Sequence, residues 1–202
     1  MEKKSEESVK TRLLLIVGIL CILASIIVYI APWEKDSSDA STDWKLTLTG
    51  PNGTQKIMSY DEITHLPAYT GFGGFFSTAG LVYGPYKVKG VPLKALCDLV
   101  GGITPLEAVF VSATDGYSMV FNYDQVTKGV FDTYDPKTMK VVSHETGELD
   151  LVLMYQQDGK PLSHDDGKPF RIATAGTQYL LVEGHNWVKW VDKIEVEELN
   201  TD

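Results

Sequence analysis

The stretch Asp166-Gly167-Lys168-Pro169-Phe170-Arg171-Ile172, followed by Gly184-His185-Asn186-Trp187-Val188-Lys189-Trp190, decides how this chain is read. Phe170–Thr174 has the apolar, β-branched character of a strand. From Trp187 to Val196 apolar and polar residues alternate, with Asp192 breaking the pattern, which predicts a closing strand or a turn followed by a strand. Each segment carries one conspicuous cation, Arg171 and Lys189. A planar guanidinium grips a phosphate or carboxylate at two points, and an ammonium adds a point charge. The alternative for Arg171 is an ordinary strand arginine paired with one of many acids.

That arginine stands out because of the composition around it. Beyond residue 31 the chain holds 14 basic and 24 acidic residues, and Arg171 is the sole arginine among them. Such an acidic domain will not bind nucleic acid by neutralising phosphates; its charge favours solubility. A single cysteine, Cys97, rules out an internal disulfide in this part. His65, His144, His164 and His185 show no metal-ligand spacing, so no metal site is expected. There is also no G-x-S-x-G elbow, no phosphate-binding Walker loop and no dinucleotide fingerprint.

Further out lies the N-terminal segment. Leu13–Ala31 is an uncharged run of 19 residues. As a helix rising ~1.5 Å per residue it matches the ~30 Å hydrocarbon core of a bilayer. Lys3, Lys4, Lys10 and Arg12 precede it, and Tyr29 and Trp33 suit its outer interface. The positive-inside rule then places the N-terminus in the cytoplasm and the remainder outside, at the cell membrane. The competing reading is a cleaved signal peptide, but the run is long and Tyr-Ile-Ala-Pro-Trp makes a poor cleavage site. Cys21 lies mid-span as a small apolar residue. The expected organisation is a cytoplasmic tail (1–12), a transmembrane helix (13–31), a flexible polar linker (32–43) and an extracytoplasmic domain (44–202).

Within that domain local signals are dense. Trp44–Thr49 alternates as a strand, Pro51-Asn52-Gly53 turns it, and Thr54–Met58 returns. Asn52-Gly53-Thr54 is also a glycosylation sequon, which turn chemistry explains without a glycan. Ser59 and Glu62 form a capping box. Leu93, Leu96, Cys97 and Val100 share one helical face, opened by Pro92 and closed by Gly101-Gly102, so Cys97 is expected to be a buried thiol. Ala108–Ala113 and Tyr117–Phe121 read as strands joined at Asp115-Gly116. Asn122 caps a helical turn, and Leu149–Tyr155 is an apolar strand turning at Gln157–Pro161. Ala68–Gly90, with six glycines and six aromatics, is expected to be a pocket loop or a partner surface. Lys128–Asp150 is expected to be irregular and polar.

Taken in order, Tyr86–Leu99 with its Gly90-Val91-Pro92-Leu93 helix start, Asp115-Gly116-Tyr117, Gly167-Lys168-Pro169-Phe170-Arg171 and Gly184–Trp190 resemble the molybdopterin-binding domain of the sulfite oxidase family. The resemblance runs from about Leu46 to Val196. It implies an α+β fold, mixed and strand-rich, with molybdopterin held in a cleft. It also implies that Arg171 binds the cofactor's phosphate, with Lys189, Gly184, His185 and Asn186 beside it. The family's metal-binding cysteine lies upstream of the G-V-P-L helix, yet Ala68–Gly90 has no cysteine. A soft thiolate is not simply replaced there. Bulky Trp187 and the lack of a basic cluster also depart from the family, which makes sulfite oxidation improbable. Three functions remain compatible: a molybdopterin-dependent oxidoreductase, a non-catalytic module holding a small anionic ligand, and an external subunit docking on a membrane protein through Phe72, Phe75 and Phe76. The residues rank non-catalytic binding slightly above catalysis.

Overall fold

The computed structural model describes residues 44–147 and 149–199. The tail, the expected span 13–31 and the linker 32–43 lie outside the described residues. Among the described residues no helix is long and apolar enough to cross a membrane.

The chain opens with β1 (Lys45–Thr49) and β2 (Gln55–Ser59), an antiparallel pair turned at Pro51–Gly53, where Gly53 takes the left-handed conformation. Helix α1 (Tyr60–Thr64) starts in a complete capping box: the Glu62 amide donates to Ser59 Oγ, and the Ser59 amide donates to Glu62 Oε2. Next come β3 (Tyr69–Phe76), β4 (Val82–Pro92) and α2 (Leu93–Asp98). Pro92 caps α2 instead of occupying its first turn, because β4 runs straight into the helix. Leu93, Leu96 and Cys97 are buried beneath α2 as expected, and Gly101 and Gly102 leave it at positive φ. After β5 (Glu107–Ala113) and β6 (Ser118–Asn122), helix α3 (Tyr123–Lys128) begins in a second capping box, Asn122 with Gln125. It ends at Gly129 in the left-handed region. The chain finishes with β7 (Val130–Tyr134), β8 (Val141–Gly147), β9 (Leu149–Gln157), β10 (Lys160–Pro161), β11 (Arg171–Gly176), β12 (Leu181–Glu183), a 3-10 turn (Gly184–Asn186) and β13 (Val191–Glu198).

Two sheets result. The first is ordered β2-β1-β13-β5-β6, with β13 parallel to β1 and antiparallel to β5. The second is ordered β10-β9-β11-β3-β12-β7-β8, and β4 bridges β3 and β9. Strands β3, β4, β9 and β11 therefore pair in a closed ring. The core is packed by residues such as Leu46, Leu48, Phe121, Leu153, Phe170 and Ile172, each stabilising by roughly 1.5–3 kcal/mol on burial.

Two expectations are corrected. Ala68–Gly90 is not a loop; most of it is the β3–β4 hairpin. Four of its glycines, Gly71, Gly73, Gly74 and Gly90, sit where another strand comes too close for a side chain. A Cβ at Gly73 would stand 2.1 Å from the Thr174 carbonyl oxygen, and one at Gly90 2.3 Å from that of Leu153. The stretch 128–150 is not irregular. It forms β7 and β8, because β12 offers β7 a free edge. In the C-terminal segment the strand begins only at Val191; Trp187–Trp190 precedes it as a turn, with Trp190 at φ +53°.

Candidate functional site

All six residues of β11 are buried, and Arg171 is its first. Two backbone bonds fasten this strand to the following segment: Ile172 N donates to Val188 O at 2.8 Å, and Val191 N to Phe170 O at 3.0 Å. They carry Lys189 to the same end of the molecule as Arg171. The loop before β11 then locks the turn. Trp190 Nε1 donates to His164 O at 2.9 Å, and Lys189 Nζ donates to Asp165 O.

Here a cleft of about 560 Å³ opens, with Arg171 and Lys189 in its lining. Its walls are aromatic: Phe75 from β3, Tyr83 and Tyr86 from β4, Tyr117 from the β5–β6 turn, and Trp187 and Trp190. Phe75 stacks on Tyr83 at 4.8 Å and tilts against Trp187 at 5.1 Å. Trp187 is held by its indole N–H, which donates to Thr174 Oγ1 at 3.2 Å. Gly73 is the one residue type that leaves room between that tryptophan and the β11 backbone.

Arg171 is only 4 % exposed. Its guanidinium carbon lies 5.0 Å from the centroid of Phe75 and 4.9 Å from that of Trp187, so the charge rests against two adjoining rings. Among the described residues Arg171 has no salt bridge, and its Nε has no hydrogen-bond partner. Burial brings its pKa down to about 10, against the opposing pull of Tyr86 and Asp166. The same burial raises Tyr86, whose ionised form Arg171 in turn favours. A buried cation with an unused donor, opening on a cleft, suits an anionic ligand. Asp115 and Asp166 also line the cleft, so the ligand's anionic charge must be local and placed at Arg171.

The donor set fits a phosphate-bearing cofactor at Arg171, and it offers no thiol. Cys97, the sole cysteine among the described residues, lies under α2 at 1 % exposure. Burial pushes its thiol up to about 12. Among the described residues no three His, Cys, Asp or Glu side chains gather in a way that would hold a metal ion.

Of the residues singled out in the sequence, Arg171, Lys189 and Gly184 meet in this cleft. His185 and Asn186 do not. The 3-10 turn has about three residues per turn, so successive side chains diverge. The His185 carbonyl accepts a hydrogen bond from the Tyr117 hydroxyl at 3.4 Å, while its ring lies 3.1 Å from the Glu183 carboxylate. His185 and Asn186 thus line a neighbouring cavity. Trp187, whose bulk departs from the family, forms part of the cleft wall and packs on Arg171. Of the three phenylalanines read as a docking patch, Phe75 is part of this wall, Phe76 packs edge-on to Tyr134, and Phe72 is 45 % exposed. Trp190 was not singled out for the site; the aromatic density of 186–190 was the available signal.

A search of curated proteins finds no match. Among solved structures, the chain is similar to the sulfane dehydrogenase SoxCD from Paracoccus pantotrophus, with a TM-score of 0.57 at 17 % identity. The match covers 79 % of this chain and 39 % of that one, so this chain spans well under half of that protein's length. At this identity the likeness shows the fold. The family model for the oxidoreductase molybdopterin binding domain matches residues 32–202. The chain therefore belongs to the oxidoreductase molybdopterin binding domain family.

Proposed function

We propose that this chain is a membrane-anchored, extracytoplasmic member of the family that holds a flat, anionic ligand of the molybdopterin class, with a degenerate metal site. The observation that carries the reading is Arg171: a buried guanidinium, its Nε without a partner, set against two aromatic rings in the lining of an open cleft. The other aromatic residues of the lining, Tyr86, Tyr117 and Trp190, suit a heteroaromatic ring, and the guanidinium suits its phosphate. The metal site is read as degenerate because the cleft lining has no cysteine and Cys97 is buried elsewhere with a raised pKa. Non-catalytic binding follows more naturally than redox catalysis. The anchor rests on the length, apolarity and flanking charge of residues 13–31.

Full-length protein purified from its membrane tests both parts. Titration with a pterin phosphate should quench tryptophan fluorescence saturably in the parent protein and not in Arg171→Met. Elemental analysis should find neither molybdenum nor tungsten in stoichiometric amount. Stoichiometric metal would restore the oxidoreductase reading, and equal quenching in both proteins would remove Arg171 from it.

A further inference from the structure

Beyond the Arg171 cleft lies a second cavity, of about 260 Å³, between α3, β7 and the 3-10 turn. A buried water needs only ~10–15 Å³ of such space, so the cavity has room for a small organic molecule. Its carboxylates are not the groups left unmet. Glu183 is reached by His185 Nδ1 at 3.1 Å and by the Tyr134 hydroxyl, and Asp132 is engaged as well. The unmet groups are amides. Asn186 lines the cavity and is only 6 % exposed. Its Nδ2 donates to the Glu183 carbonyl at 3.2 Å, and its Oδ1 has no partner among the described residues. A buried amide oxygen left without a donor is costly. Asn122 and Gln125 line the same cavity with the opposite need. Each uses its side-chain oxygen to accept the other's backbone N–H, at 2.9 Å in both cases, which completes the capping box of α3. Their NH2 groups, two donors apiece, have no partner among the described residues.

The cavity thus presents one orphaned acceptor and two sets of donors, all on uncharged groups. An anion is disfavoured, because Asp132 and Glu183 stand in the lining and no described lysine or arginine does. An all-donor cation is disfavoured too, because its N–H groups would face the NH2 groups of Asn122 and Gln125. A hydroxyl both donates and accepts. A molecule with hydroxyls on neighbouring carbons can therefore donate one to Asn186 Oδ1 and accept from the two amides with others. We infer that this cavity is a binding site for a small neutral polyol of the monosaccharide class. The site shares no lining residue with the Arg171 cleft, and it stands whether or not the pterin reading does.

The test uses full-length protein in a detergent without sugar headgroups, with D-glucose, D-ribose and glycerol as probes. Binding is followed by saturation-transfer NMR. D-gluconate and D-glucosamine serve as charged controls that keep most of the hydroxyls. The parent protein should bind at least one of the three polyols saturably, and both charged controls more weakly. Asn122→Asp and Gln125→Glu keep the oxygen that the capping box uses and remove only the NH2 donors. Each should weaken the best-bound polyol at least about tenfold while the protein keeps its cooperative melting transition. Asn186→Leu removes the orphaned acceptor and should weaken it similarly. These capping-competent variants separate a lost ligand contact from a damaged fold. No saturable signal from any of the three polyols in the parent, affinities unchanged in all three variants, or tighter binding of gluconate or glucosamine than of every polyol would overturn the assignment.

Discussion

Replacing Arg171 by methionine should make the ligand-free protein more stable and the liganded one weaker. The guanidinium is 4 % exposed, and burial has lowered its pKa to about 10. At ~1.4 kcal/mol per tenfold change, that lowering corresponds to a cost on the order of 3 kcal/mol. Contacts with Phe75 and Trp187 return part of it, about 1–2 kcal/mol together when desolvated. Methionine keeps the stem's length, is flexible enough to lie against the two rings, and carries no charge. The net gain is therefore roughly 1–2 kcal/mol, which for a domain of this size raises the melting temperature by about 3–6 °C. Arg171 is charged in folded and unfolded chains alike below about 10, so the cost is present in full at neutral pH. It is relieved only as pH climbs past that value. The stability difference should accordingly be flat between pH 6 and 8. Loss of charge-assisted hydrogen bonds worth ~1.5–3 kcal/mol should weaken phosphate or pyrophosphate binding about 10- to 150-fold. Differential scanning calorimetry in phosphate-free buffer, followed by calorimetric titration with pyrophosphate, measures both. A variant that melts lower than its parent, or binds pyrophosphate equally well, refutes the claim that a stability cost is maintained here for ligand binding.

Three further outcomes follow from the same structure. Gly73→Ala places a Cβ 2.1 Å from the Thr174 carbonyl oxygen and 3.2 Å from the Trp187 ring; it should cost about 1–3 kcal/mol or more and shift the tryptophan emission, both visible in thermal melts followed by fluorescence. Cys97 should resist alkylation by iodoacetamide in the native protein at pH 8 and react fully in denaturant, because its buried thiol titrates only near about 12; peptide mass spectrometry reads the result. Asn122→Ala removes the side chain that accepts the Gln125 amide and should lower stability by about 1 kcal/mol, measured by urea melts.

Signals that depend on neighbours a few residues away could be read directly. The Asn52-Gly53 turn, both capped helix starts and the apolar face Leu93–Val100 needed only local chemistry. The Gly-rich stretch was misread because glycine alternating with aromatics resembles a loop when the strand it accommodates is unknown. Thr174, which makes Gly73 necessary, lies 101 positions further on. Strands β7 and β8 escaped for a related reason, since β7 pairs with the distant β12 and β8 with β7, which gives polar residues an edge to join.

The candidate site divides in the same way. Composition alone marked Arg171, because a lone arginine on an acidic chain is conspicuous wherever it lies. The ordered motifs around it carried the family, since motif order survives without coordinates. Tertiary structure decided that this cation is buried against Phe75 and Trp187 with a free donor, and that His185 and Asn186 face a different cavity. Burial and side-chain direction arise from contacts between distant segments, here β3 against β11 and the turn before β13, and linear spacing does not encode them.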